Sequence, residues 1–103
     1  MSGKNTREDI YKRIEKIEHP EISKTLAELG MIGEIKIENN KAFINIILPM
    51  LSVPIILKNI LVSFIKESIK DFDLELQVEF SEMDIERRTK FFEMSKENWK
   101  GTI

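Results

Sequence analysis

The clearest pattern in the chain lies between Leu74 and Phe80. Leu74, Leu76, Val78 and Phe80 alternate with Glu75, Gln77 and Glu79, which is the signature of a strand buried on one face. Two further stretches share this period of two. In Met31–Glu38, Ile35 and Ile37 face one way while Glu34, Lys36 and Glu38 face the other. In Lys41–Leu48, Ala42, Ile44, Ile46 and Leu48 line one face, and Phe43 and Ile47 make the second face partly apolar. Asn39-Asn40 separates these two stretches. Asparagine tolerates positive φ, so the pair predicts a tight hairpin turn of the primed type.

Elsewhere the period is helical. Ile10, Ile14 and Ile17 predict a first helix, capped by Thr6 with Asp9 three residues on, and ended by His19-Pro20. Ser23 is placed to cap a short second helix carrying Leu26 and Leu29, closed by Gly30. Pro49-Met-Leu-Ser-Val-Pro54 reads as a loop bracketed by prolines, with Pro54 opening a third helix to about Lys70. Its predicted buried stripe is Leu57, Ile60, Leu61, Phe64, Ile65 and Ile69. Asp84 predicts the cap of a last helix with Ile85, Arg88 and Phe92 on one side, followed by Trp99.

The element order is therefore α-α-β-β-α-β-α. A hairpin followed by a helical crossover predicts an α+β, two-layer domain. Its small mixed three-stranded sheet has helices packed on one face, and its third strand runs parallel to the second. With 103 residues the chain reads as a single domain over 1–103, with a core over about 6–80 and a C-terminal helical extension over about 84–100.

Composition removes whole classes of function. The formal net charge is −2, so there is no basic excess to follow a phosphate backbone, and no nucleic-acid partner is expected. Cysteine is absent, which excludes a disulfide, a thiol nucleophile and a thiolate-held iron–sulfur cluster. Histidine occurs once, at His19, so any Ser–His–acid triad would have to run through it. From Ala42 to Ile65 the only charge is Lys58, yet Pro49 and Pro54 interrupt the stretch and its period changes from strand to helix. Two elements meeting at a loop fit it better than a membrane span. The first residues carry no apolar signal core. The expectation is a cytoplasmic protein with no membrane partner.

Candidate chemistry is sparse. His19-Pro20-Glu21 sets an imidazole beside a carboxylate, which suits a general base or a lone metal ligand. The residue types better describe a stiffened turn, the reading favoured here, in which replacing His19 by asparagine costs at most about 1 kcal/mol. Glu79, Glu82, Asp84 and Glu86 offer carboxylates for acid–base work or a hard cation, but they sit at a strand end and a helix start, where capping favours acids. The four glycines are isolated, so no phosphate loop is present. No catalytic residue and no metal ligand is therefore assigned. Met50, Leu51 and Val53 make the central loop unusually apolar; they either complete the core or meet a partner.

His19-Pro20-Glu21-Ile22, then Leu26-Ala-Glu-Leu-Gly30-Met31-Ile32, resembles the acidic-or-His-Pro-Glu…Leu-Gly signature of the PaaD/SufT-type iron–sulfur cluster assembly family, also called domain of unknown function 59. His19, Pro20, Glu21, Leu29, Gly30 and Pro54 carry the motif. Glu82-Met-Asp84 with Arg87, and Asn98-Trp-Lys-Gly101, look most like the N-terminal domain of Mrp/ApbC-type P-loop ATPases. Many family members carry Thr-x-x-Gly-Cys-Pro in the central loop; here Val53 takes the cysteine position, so no cysteine role carries over. The resemblance implies a non-enzymatic accessory or docking protein in cluster assembly or transfer, with no cofactor bound by this chain alone. The implied partner is an Mrp/ApbC-type ATPase or an apo iron–sulfur protein, and a homodimer stays open. The hypothesised partner-binding residues are Met50, Leu51, Val53 and Trp99. Alternatives are a PaaD-like assembly subunit for a metal-dependent ring-modifying oxygenase, or a weak metal-binding enzyme using His19.

Overall fold

Asn39 and Asn40 adopt φ of 47° and 67°, the paired left-handed conformation of a primed turn, and they join β1 (Ile32–Glu38) to β2 (Lys41–Leu48) as an antiparallel hairpin. In this computed structural model, which describes residues 7–100, β3 (Glu75–Glu82) adds in parallel on the far side of β2. The sheet order is β1-β2-β3, so the most apolar strand is central and both neighbours are edges. The predicted mixed sheet and α+β class are observed.

One face of the sheet makes the core. Ala42, Ile44, Ile46 and Leu48 are all buried, flanked by Ile35 on β1 and by half-buried Leu76, Val78 and Phe80 on β3. Helices cover this face: α1 (Arg7–Ile14) through Ile10 and Ile14, and α2 (Ile55–Ser68) through Leu61 and Ile65, with Ile69 just beyond it. Phe64 is exposed rather than part of the buried stripe. A bidentate pair from Arg13 to Asp71, 2.8 Å on each arm, ties α1 to the turn after α2, and the same guanidinium lies 4.6 Å over the Phe72 ring.

The open face of the sheet has its own device. A bulge at Gly33–Glu34 interrupts β1 between the pairs Ile32–Ile46 and Ile35–Ile44. A Cβ on Gly33 would collide with the Asn45 side-chain amide. Asn45 uses that space to donate to the Glu79 carbonyl at 3.3 Å and to accept from the Ser81 hydroxyl at 3.2 Å, bridging β2 to β3.

Three local expectations need correction. The first helix stops at Ile14, well before His19-Pro20. The backbone of Ile17–His19 is engaged by a returning segment instead: Leu26 N–H donates to Ile17 O, and His19 N–H donates to Lys24 O. The short second helix is a single turn over 26–30, and its cap is Thr25, not Ser23. Thr25 Oγ1 accepts from Glu28 N–H at 3.1 Å while the Glu28 carboxylate accepts from Thr25 N–H at 2.9 Å, a reciprocal capping box. Gly30 closes the turn at φ 74°, as expected. In α3 (Ile85–Asn98) the inward residue is Phe91, with Arg88, Met94 and Asn98 beside it; of the predicted stripe only Arg88 lies on this side, while Ile85 and Phe92 face solvent. The Thr6 cap and Gly101 lie outside the described residues.

Candidate functional site

Because β2 and β3 are parallel and β1 antiparallel, three connections emerge at one end of the sheet: the segment before β1, the loop after β2 and the link from β3 to α3. Backbone bonds hold them together. Met31 O accepts from Ile47 N–H, and Leu48 O accepts from Met83 N–H, each at 2.7 Å. Asp84 caps α3 by accepting from Arg87 N–H at 2.7 Å, and the Arg87 guanidinium reaches back to Gly30 O at 3.1 Å. Asp84 thus serves the fold, and among the described residues no three His, Asp or Glu side chains gather as a metal site.

The central loop is stiffened at both ends. Pro49 is buried, and Pro54 takes the extended conformation that opens α2. Between them Lys58 Nζ donates to Leu51 O at 2.8 Å and lies 5.7 Å from the Phe80 ring centroid. The four hypothesised contact residues separate. Met50 and Leu51 are exposed, Leu51 at 48%. Val53 is half-buried against the core. Trp99 lies elsewhere, where its backbone bridges to Ile22, although its side chain is exposed. The sequence reading gives no role to Ile55 and Ile56 in the first turn of α2 and sets Ile85, in the first turn of α3, on the packed side; Ile56 is 70% exposed and Ile85 78%. The available signal was position: an apolar pair right after a helix-opening proline lies at the mouth of the helix, before its buried stripe begins.

The His19 turn is built inward. The ring is only 3% exposed and meets Phe91 edge-on at 6.4 Å between centroids. Nδ1 accepts from Glu21 N–H at 2.9 Å, so the ring is a neutral turn-forming acceptor with its proton on Nε2. Burial, then the nearby Lys100 charge, push its pKa down to about 4. The expected cost of replacing it, set for an exposed turn, is therefore too low.

Against this geometry stand the relatives. The family model for iron–sulfur cluster assembly proteins matches residues 7–79, most of the chain. The chain belongs to that iron–sulfur cluster assembly family. The match takes in the His19 turn, the Thr25–Gly30 capped turn, the central loop and all of α2, and ends within β3. No curated protein matches the chain. Among solved structures, a domain of unknown function, DUF59, from Bacillus anthracis superposes with a TM-score of 0.64 at 21% identity, covering 85% of this chain and 90% of that one. That likeness is one of fold.

Family membership raises the question of whether these residues fit an iron–sulfur cluster as a resident group. They do not. There is no thiolate in the chain, the central loop offers Met50, Leu51, Ser52 and Val53 between its prolines, and the one imidazole is buried with Nδ1 already engaged. What the end of the sheet offers is apolar surface on a stiff frame. No helix among the described residues is long and apolar enough to cross a membrane.

Proposed function

We propose that this domain is a non-enzymatic docking protein of iron–sulfur cluster assembly or transfer, binding no cofactor by itself. It acts through protein contact with an Mrp/ApbC-type ATPase or an apo iron–sulfur protein in the cytoplasm. The observation that carries this reading is the exposed apolar set Met50, Leu51, Ile55 and Ile56, held on the loop and helix start that the family shares. A short loop fixed by two prolines and by Lys58 has little freedom left to lose on docking, and its side chains gain from desolvation.

The test is a binding titration with the Mrp/ApbC-type ATPase of the same genome, with Leu51→Asp and Ile56→Asp as variants. A weakening of at least tenfold in both, with unchanged melting curves, supports the reading. Equal binding by both variants sinks the interface, and no binding by the unaltered protein sinks the ATPase as partner.

A further inference from the structure

The two edges of the sheet are protected unequally. β1 carries a bulge and an outward Lys36, both common devices against edge-to-edge pairing. β3 has neither. It pairs with β2 in unbroken register from Lys41–Glu75 to Leu48–Glu82 and contains no proline, glycine or lysine. Glu75 N–H donates to Asn40 O, and Met83 N–H donates to Leu48 O. Those two bonds fix the phase: residues 75, 77, 79, 81 and 83 bond to β2. The N–H and C=O groups of Leu76, Val78, Phe80 and Glu82 point to the other edge, which pairs with no further strand among the described residues.

Beside the first half of that edge runs a groove of about 510 Å³ between α2 and β3, with Val62, Ile69, Leu74 and Leu76 as its apolar lining and Lys66, Lys70 and Asp73 as charged neighbours. On the opposite, open face the edge strand presents Glu75, Gln77 and Glu79, all exposed. Lys41 stands across from Glu75, while Glu79 stands across from neutral Asn45. We propose that the free edge of β3 is a strand-addition site for an extended segment of a partner protein. That segment is apolar at alternate positions toward α2 and lysine- or arginine-bearing at the positions facing Glu75 and Glu79. Main-chain bonds supply the binding and the alternating side chains supply the selection. A second copy of this chain is a poor occupant, because pairing two β3 edges gathers Glu75 and Glu79 of both copies on one face. The site is separate from the central loop and stands independently of the iron–sulfur reading.

The test uses the full chain, ¹⁵N-labelled, titrated with a panel of eight-residue peptides alternating lysine or arginine with valine, isoleucine or phenylalanine. In the free protein the amides of Leu76, Val78, Phe80 and Glu82 exchange faster than those of Gln77, Glu79 and Ser81. On saturation the first set slows at least tenfold. Glu75→Lys with Glu79→Lys, both exposed, abolishes binding of the basic peptides and admits peptides with glutamate in place of lysine. Absence of saturable shifts up to millimolar peptide overturns the proposal, as do shifts centred on Met50 and Leu51 or binding indifferent to the charge reversal. Slowing of the same four amides with protein concentration alone overturns the choice of occupant in favour of a second copy.

Discussion

His19 makes the folded protein sensitive to mild acid, and the size of the effect follows from its burial. In the unfolded chain the imidazole takes up a proton as pH falls through about 6.5. In the fold the ring is enclosed against Phe91, and its pKa is held at about 4. The folded state therefore binds fewer protons between those values, and stability is lost as pH drops below about 6.5, levelling off near 4. At about 1.4 kcal/mol per pH unit the full loss is about 3 kcal/mol, of which about 2 kcal/mol falls between pH 7.5 and 5.0. In His19→Asn the shorter side chain can still accept from Glu21 N–H, but the contact with Phe91 goes, for a cost of about 1–3 kcal/mol at pH 7.5. The variant lacks the titration, so its deficit relative to the unaltered protein shrinks by about 2 kcal/mol at pH 5.0. Urea melts of both proteins at four pH values, followed by helical circular dichroism, give the two curves. Parallel curves would refute the reasoning, as would a directly titrated His19 pKa above about 6 by NMR, where the single histidine makes assignment unambiguous.

Three further outcomes are expected. Leu51→Asp shifts stability by less than about 1 kcal/mol, whereas Val53→Asp, two residues on but packed against the core, costs several kcal/mol; equal melting temperatures for the pair refute this division. Gly33→Ala displaces the Asn45 amide from its bonds to Glu79 and Ser81 and costs about 1–3 kcal/mol, and in an Asn45→Ala background the same change costs less; strict additivity in the double-mutant cycle counts against the clash. Anaerobic reconstitution with iron and sulfide followed by desalting leaves the folded protein colourless, and stoichiometric iron with a visible charge-transfer band would contradict the reading of the loop.

Which parts of this molecule could be read from its sequence depends on whether the determining partner is near in the chain. The β1–β2 turn is set by two adjacent asparagines, and the Asp84 cap by a residue three positions away. The burial of β2 follows from its own alternation. The end of α1 is not legible in its own residues because it is decided by Lys24–Leu26, whose carbonyl and amide groups draw Ile17–His19 out of helical pairing. The face of α3 is not legible because Phe91 and Phe92 are equally apolar, and only the position of His19 and the Ile22 segment selects the first. At the candidate site the apolar loop was visible as composition. Its division into outward Leu51 and inward Val53 is not, since the four residues between Pro49 and Pro54 are too few to show a period.

The family match stops at residue 79, yet the domain does not end there physically. Met83 and Phe91 are buried members of the same core as Ile22, Leu29 and Met31. Asn98 O accepts from Ser23 N–H at 2.8 Å, Glu21 O accepts from Lys100 N–H at 3.1 Å, and Trp99 bridges to Ile22. α3 and the two residues after it therefore clasp the segment between α1 and β1; Phe91 helps to bury His19, and Lys100, just past the helix, supplies the nearby charge that adds to burial in lowering its pKa. A helix so engaged is not a latch free to swing toward a partner, because its release would uncover Ile22, Leu29 and His19 together. Trp99 can offer a partner its exposed ring only from this clasped position. That confines it to a contact made by the closed fold, on a different element from Met50 and Leu51. One partner touching both would have to span the Ile22 segment as well as the central loop, whereas a partner reading only the loop leaves Trp99 a structural residue of the clasp.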